Sequence, residues 1–273
     1  MLSFDFHTLS LGIIQGATEF LPISSSGHLA LLQMFYGWEQ NGLLFFNLIL
    51  HCATILAVLI FFRNDIVTLL TQWLKGFFSS EGRKSEGWSY GWAVLAGSVV
   101  TACIALPLKG MVETAMASRL AVGAGFLITA ALLCVAPLFP AREGEKKSLL
   151  KAALFVGLIQ GIAVFPGISR SGSTIAAALL MGLAAPEAFR LSFLMSVPAI
   201  TGAALLEALQ VLRDPALTLP AGWIISAAAA FLVGFFALAT LRRLVLSGKW
   251  AYFGVYCFFL GLIAVLSEAV TRF

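Results

Sequence analysis

The chain has 273 residues, of which 60% are hydrophobic and only 11% are charged, with a formal net charge of +4. A mean hydropathy of +0.97 excludes an ordinary soluble domain, because too little polar surface would remain to face water. Long unbroken apolar runs favour transmembrane helices over the alternating strands of a barrel. The sequence therefore predicts an all-α polytopic membrane protein, and no basic patch suits nucleic acid.

The first predicted element, residues 9–36, is an apolar stretch that Pro22 interrupts. Each arm is shorter than the roughly 20 residues that cross a bilayer, so we expect a re-entrant hairpin. Three transmembrane spans follow, at about 43–62, 92–108 and 120–138. The same order then repeats, with a second hairpin at about 149–183 and spans at about 191–212, 223–241 and 252–270.

One stretch of sequence occurs twice, at Gln15–His28 and at Gln160–Ser173. Aligned without gaps, the copies match at Gln-Gly, Phe, Ile-Ser and Ser-Gly, which indicates a duplicated half-protein. We therefore expect two halves, 1–140 and 141–273, within a single membrane domain. Because each half has an odd number of spans, the second half should be an inverted-topology repeat of the first, with the hairpins meeting near the midplane.

Lys and Arg residues concentrate on one side of the predicted topology, which the positive-inside rule makes cytoplasmic. Both termini should then face outward. The first Lys or Arg is Arg63, so we expect no cleaved signal peptide. The four cysteines lie in apolar runs without C-x-x-C spacing, which predicts buried thiols rather than a disulfide or metal site.

The residues that differ between the copies suggest chemistry. Only the first copy carries Glu19 and His28, and only the second carries Arg170. Both Ser-Gly loops should run into a new helix, near His28 and near Thr174, and two helix N-termini with serine hydroxyls suit an anion. The alternative is that Ser and Gly only cap and pack helices, and that Arg170 is only a structural partner of Glu19.

Several roles remain open for the titratable side chains. Glu19 could bind a divalent cation, accept a proton or orient a nucleophile, and His28 could act as acid, base or phosphoryl acceptor. Gln15, one turn before Glu19, can only coordinate or hydrogen-bond. His51 is expected to be a packed core residue, and Glu207 to be solvated.

The two motifs resemble those of the bacterial undecaprenyl pyrophosphate phosphatase family, across essentially the whole chain. Glu19–His28 is similar to its first motif, and Pro166–Thr174 to its second. The resemblance implies removal of the terminal phosphate from undecaprenyl pyrophosphate, which recycles the carrier for peptidoglycan synthesis and confers bacitracin resistance. It also implies the bacterial inner membrane, an outward-facing site and a divalent cation, Mg²⁺ or Ca²⁺. Gln15 departs from the glutamate frequent in that family, which weakens its role as a metal ligand beside Glu19.

The resulting hypothesis is phosphoryl transfer by Glu19, His28, Ser25 and Arg170. The pyrophosphate is expected to contact the remaining motif residues, which are Ser24, Ser26, Gly27, Ser169, Ser171, Gly172, Ser173 and Thr174. Water or a side chain, Ser25 or His28, could attack phosphorus. A transporter or flippase with the same inverted-repeat cavity is the competing interpretation, and a homodimer is left open.

Overall fold

The computed structural model describes residues 6–37, 44–136, 148–212 and 219–271. These residues form helices connected by turns and contain no strand. The α-helices in chain order are α1 Phe6–Phe20, α2 Ser25–Tyr36, α3 Leu44–Phe61, α4 Arg63–Phe78, α5 Ser80–Arg83, α6 Glu86–Met116, α7 Arg119–Val135, α8 Leu149–Ile162, α9 Arg170–Leu180, α10 Ala185–Val211, α11 Trp223–Leu246 and α12 Tyr252–Thr271. A single 3₁₀ turn, Lys249–Ala251, precedes α12.

Within the described ranges, four helices are long and apolar enough to cross a membrane, and these are α6, α10, α11 and α12. The pair α3 and α4 becomes a fifth candidate if its 74° bend lies within one span. Helices α7 and α8 are apolar but shorter. The prediction of an all-α polytopic membrane protein is confirmed.

The sequence analysis missed α4, which follows directly after the first predicted span. Its polar residues break the apolar run, and two of them, Asp65 and Gln72, contact the rest of the protein. Asp65 pairs with Arg190 of α10 at 2.8 Å, and the Gln72 side-chain oxygen accepts a hydrogen bond from the Gly87 amide at 2.8 Å. Leu70 and Leu74 remain exposed. Helix α4 is therefore amphipathic, which a search for uniform apolar runs does not detect.

Glycines bring helices of the two halves into close contact. Helix α1 packs on α11, and a Cβ added to Gly12 would lie 2.3 Å from the Ser226 carbonyl oxygen. Helix α8 packs on α6, and a Cβ added to Gly157 would lie 2.2 Å from the Gly97 carbonyl oxygen. Gly12 and Gly157 are equivalent in the alignment of the repeats. The same small-residue contact is thus made twice with the halves exchanged, as a two-fold relation between them would produce.

The last helices of the two halves, α7 and α12, pack against each other. Their seam is close at Gly123, where an added Cβ would lie 2.9 Å from the Gly261 carbonyl oxygen. Large buried side chains, among them Phe20, Phe126 and Phe193, fill the space behind the two Ser-Gly turns. The turns therefore rest on a packed core, whereas the orientation of each half in the membrane stays a prediction.

Two expectations for individual side chains were wrong. Cys52, Cys103 and Cys134 are exposed and only Cys257 is buried, although all four are free thiols. An apolar run does not imply burial here, because much of the surface of a membrane helix faces lipid. Glu207 is not simply solvated, since one carboxylate oxygen lies 3.8 Å from Nδ1 of His51, and both side chains are less than one-third exposed.

Candidate active site

Serine side chains begin the helices at both Ser-Gly turns. The Ser24 hydroxyl accepts a hydrogen bond from the Gly27 amide at 3.4 Å, and the Ser169 hydroxyl accepts one from the Gly172 amide at 3.1 Å. Helices α2 and α9 therefore start three to four residues earlier than expected, and Arg170 is the first residue of α9 rather than part of a loop. The reason is N-capping: the serine oxygen satisfies a first-turn amide, so Ser-x-x-Gly forms the first helical turn.

The two turns touch each other directly. The Gly167 amide donates a hydrogen bond to the Ser24 hydroxyl at 3.1 Å, and the Ser171 hydroxyl donates one to the Leu21 carbonyl at 3.3 Å. Ser24 has a φ of 66°, the one positive φ of a non-glycine residue in the part of the chain that the structure describes. Such a backbone costs about 1–3 kcal/mol and persists only where the surroundings enforce it. The hydrogen bonds between the two turns hold Ser24 in this conformation.

A polar pocket of about 40 Å³ lies between the N-termini of α2 and α9. Its lining residues come from both halves and are Thr18, Glu19, Ser24, Ser25, Ser26, Ala163, Ile168, Ser169 and Arg170. First-turn amides of two helices and the partial positive charge of two helix dipoles therefore converge on one small volume. That volume holds only about two or three water molecules, so a larger anion must displace side chains to enter.

Glu19 and Arg170, 151 residues apart in sequence, form an ion pair in this pocket. The Glu19 carboxylate also accepts hydrogen bonds from the Ser25 hydroxyl at 2.6 Å and from the Gln15 amide at 3.0 Å. The Glu19 residue is 8% exposed. Three donors replace the water that this buried carboxylate would otherwise bind, and they fix its position.

His28 is placed differently. Its Nδ1 lies 2.7 Å from the Ser24 carbonyl oxygen and its Nε2 lies 2.8 Å from the Tyr256 hydroxyl. The ring is not part of the lining of the polar pocket. The structure therefore brings Glu19, Ser25 and Arg170 together, while the imidazole points to α12.

The other residues expected to bind pyrophosphate divide into two groups. Ser24, Ser26 and Ser169 line the pocket. The remainder lie in contacts between elements and are all buried: Gly27, Ser171, Gly172, Ser173 and Thr174. Thr174, for example, shares a hydrogen bond of 2.6 Å with Ser192 of α10. These residues lie outside the pocket lining and pack beneath the residues that form it.

The metal expectation can be tested on the donors present. The described residues contain no group of three or more His, Cys, Asp or Glu side chains that could hold an ion. However, Oε1 of Gln15 is buried without a hydrogen-bond partner, one turn from the Glu19 carboxylate. One carboxylate and one orphan amide oxygen fit a magnesium ion that takes most of its ligands from phosphate and water. They do not fit a resident metal held by protein alone.

Two residues that hydrogen-bond to the motif residues were not identified from the sequence. The Thr129 hydroxyl of α7 donates to the Gly167 carbonyl at 2.8 Å and accepts from the Ser169 amide at 2.8 Å. Tyr256 of α12 contacts His28. Both lie in otherwise apolar spans, far along the chain from the motifs they support. Thr18, which lines the pocket, lies inside the first motif and was overlooked there.

The fold and the pocket together define a multi-pass membrane protein with a small polar pocket where the N-termini of α2 and α9 meet. Residues 8–263 match the family described as "Bacitracin resistance protein BacA". The chain belongs to this family. The family match does not by itself assign a role to any residue of the pocket.

Curated relatives agree with that assignment over nearly their whole length. "Undecaprenyl-diphosphatase" of Desulfosudis oleivorans is 42% identical over 259 residues, covering 92% of this chain and 94% of the relative. The protein of the same name from Korarchaeum cryptofilum is 41% identical and covers 96% and 98%. "Undecaprenyl-diphosphatase 2" of Bacillus thuringiensis is 35% identical and covers 94% and 96%.

Proposed function

We propose that this chain is a membrane phosphatase that hydrolyses undecaprenyl pyrophosphate to undecaprenyl phosphate and inorganic phosphate. Its family and the names of its relatives support this substrate. The main structural support is the hydrogen bond from Ser25 to Glu19, beside Arg170 and between two helix N-termini. A hydroxyl, a carboxylate and a guanidinium in one small pocket are the groups that phosphoryl transfer needs.

In the first step, the terminal phosphate exchanges places with the Glu19 carboxylate on Arg170. The guanidinium presents a planar fork that holds two phosphate oxygens at once. The amides at the start of α2 and α9 bind the remaining oxygens. Because Arg170 comes from one half and Glu19 from the other, substrate binding separates an ion pair that also joins the halves.

In the second step, the Ser25 oxygen attacks the terminal phosphorus. Its proton passes to Glu19, whose oxygen lies 2.6 Å from the hydroxyl. The bond between the terminal phosphorus and the bridging oxygen breaks, and undecaprenyl phosphate leaves with that oxygen. Glu19 gives the serine proton to the departing undecaprenyl phosphate and is again a carboxylate. Water then attacks phosphoserine, Glu19 takes a proton from the water and returns it to the Ser25 oxygen as the serine leaves, and inorganic phosphate is released.

A divalent cation would enter this pocket with the pyrophosphate. Glu19 and the orphan oxygen of Gln15 are the protein groups that would hold it. When bound, Mg²⁺ or Ca²⁺ supplies charge neutralisation on the phosphate oxygens. The side chains of the protein bind the phosphate, attack phosphorus and transfer the proton.

The charge bias of the chain orients the proposed topology. Lys and Arg residues predominate on one side of it, which makes that side cytoplasmic, and the pocket is proposed to open on the opposite side, as the family resemblance implies. The prenyl chain remains among the helices and the surrounding lipid of the bacterial inner membrane. Hydrolysis there recycles the carrier for peptidoglycan synthesis and removes the pyrophosphate form, which accounts for bacitracin resistance.

The decisive experiment is phosphate release from undecaprenyl pyrophosphate by purified protein in detergent. Ser25→Ala and Glu19→Gln should each reduce turnover by about 10²–10⁴-fold, as expected for loss of a nucleophile or its base. Ser247→Ala is the matched control, because that exposed hydroxyl bonds only the Leu244 carbonyl within its own helix. Phosphoserine at Ser25 in acid-quenched enzyme would support the covalent route. Full turnover by Ser25→Ala would refute it in favour of direct attack by water.

A further inference from the structure

Both ring nitrogens of His28 have a defined partner. Nδ1 lies 2.7 Å from the Ser24 carbonyl oxygen, which can only accept a hydrogen bond, so Nδ1 carries a proton. In the neutral ring, Nε2 is then the acceptor. The Tyr256 hydroxyl lies 2.8 Å from Nε2 and donates to it. The neutral ring is therefore held in the Nδ1–H tautomer.

The ring is also held in its plane. The rings of His28 and Tyr256 are nearly parallel, with an interplanar angle of 2° and centroids 5.7 Å apart. Phe126 of α7 meets the imidazole edge-on, at 89° and 5.1 Å. Rotation about the Cβ–Cγ bond would break both hydrogen bonds, so the ring is held in one orientation.

The residue next to Tyr256 packs helix α12 against the Ser-Gly turn that precedes α2. The Cys257 thiol is buried and points to the Pro22 carbonyl oxygen at 3.9 Å. Consecutive residues of α12 thus contact the turn before α2 and the imidazole on α2. Tyr256 itself is 46% exposed, so its hydroxyl contributes little to the buried core.

We propose that Tyr256 is a positioning residue for His28, which fixes the Nδ1–H tautomer of the imidazole and the direction of Nε2. The hydroxyl can donate to neutral imidazole and accept from imidazolium, so it can stay bonded to Nε2 through a protonation change. This role deepens the proposed function, because the ring that Tyr256 orients is bonded to the Ser24 carbonyl, one residue before Ser25 at the start of α2. Tyr256 acts on the reaction only through His28.

The first test does not depend on catalysis. The chain contains three histidines, His7, His28 and His51, so nitrogen-15 NMR of histidine-labelled protein gives few signals, and His28→Gln identifies those of His28. Wild-type protein should show His28 as the Nδ1–H tautomer with a hydrogen-bonded Nε2. Tyr256→Phe keeps the ring but removes the hydroxyl, and should shift the Nε2 signal of His28 alone. An Nε2–H tautomer in wild-type protein, or unchanged His28 signals in Tyr256→Phe, would overturn the proposal.

The second test measures turnover of undecaprenyl pyrophosphate by the same variants. Tyr256→Phe should lower kcat about fivefold to tenfold with little change in KM, as expected for loss of one neutral hydrogen bond that orients the imidazole beside Ser24 and Ser25. Tyr252→Phe is the matched control, because this tyrosine lies one turn earlier on α12 and is 74% exposed, and it should behave as wild type. A Tyr256→Phe protein with normal kcat refutes the role in the reaction. Absence of turnover in well-folded wild-type protein refutes the proposed function instead, and the NMR result still decides the Tyr256–His28 bond.

Discussion

In the first copy of the repeated motif, Ser24 caps α2 and lies 3.4 Å from the Ser26 hydroxyl. In the second copy, Ser169 caps α9 and lies 3.3 Å from the Ser171 hydroxyl. The serine capping pattern is therefore the same at both helix starts, although the backbone of the cap differs, with a φ of 66° at Ser24 and −73° at Ser169. The ionisable residues differ between the copies. Val164 and Ser173 stand in the second copy where the first has Glu19 and His28, and Ser25 stands in the first where the second has Arg170. The two copies therefore keep the same capping serines, while their charged side chains differ and pair with each other across the pocket.

The two turns are also supported unequally. The Gly167 carbonyl receives the Thr129 hydroxyl at 2.8 Å, and the equivalent carbonyl of Pro22 faces the Cys257 thiol at 3.9 Å. Each support comes from the last helix of the opposite half. A hydroxyl is a much better donor than a thiol, so the turn that carries Arg170 is held more firmly than the turn that leads to Ser25 and His28.

The strongest test of this comparison is to change the guanidinium of the second copy. Arg170→Lys keeps the charge but loses the planar fork, and turnover should fall by about 10²–10³-fold. Arg190→Lys is the control on the same half, since Arg190 pairs with Asp65 and Glu86 and should affect turnover less than about twofold. Near-normal turnover by Arg170→Lys would mean that this side chain does not bind phosphate.

Removing the hydrogen bond that supports each turn should show which of the two turns contributes more to the free energy of unfolding. Thr129→Val keeps the shape but leaves the Gly167 carbonyl and the Ser169 amide unpaired, which should cost about 2–3 kcal/mol of unfolding free energy. Cys257→Ala should cost about 1 kcal/mol, because the hydrogen bond lost is weak. Thermal unfolding in detergent measures both variants. Equal losses would show that the two turns are supported equally.

The exchanged glycine contacts predict matched losses in the two halves. Gly157→Ala and Gly12→Ala both force a Cβ into a carbonyl group of the facing helix, and each should destabilise the protein by about 1–3 kcal/mol. Gly202→Ala is the control, since no atom lies within 4 Å of its added Cβ. A loss in only one of the two variants would argue against equivalent packing of the halves.

The smallest expected effect concerns the two glutamines. Gln15 donates to Glu19, whereas its equivalent Gln160 donates to the Thr101 hydroxyl at 3.1 Å. Gln15→Glu would create paired carboxylates one turn apart and should lower the Mg²⁺ concentration needed for turnover by roughly threefold to tenfold. Gln160→Glu would bury an unpaired charge and should destabilise the protein with no rescue by Mg²⁺. An unchanged Mg²⁺ requirement in Gln15→Glu would place the cation elsewhere.

Much of the architecture could be predicted because the duplicated motif and the apolar runs are local signals. The helix starts were misplaced because a serine at an N-cap and a serine in a loop look alike in sequence, and only the hydrogen bond to the Gly27 or Gly172 amide distinguishes them. Helix α4 was missed because polar residues interrupt its apolar run, and two of them, Gln72 and Asp65, contact α6 and α10. Amphipathic helices are visible as periodicity rather than as mean hydropathy.

The sequence by itself determined the membrane class, the duplication and the residues able to handle a phosphate, since composition and motif identity do not depend on how the chain packs. Only the tertiary structure decided which of those residues meet. It paired Glu19 with Arg170 and Ser25, turned His28 toward Tyr256, and placed Thr129 behind the second turn. These contacts join residues up to 228 positions apart, and such distances are set by helix packing rather than by any local pattern.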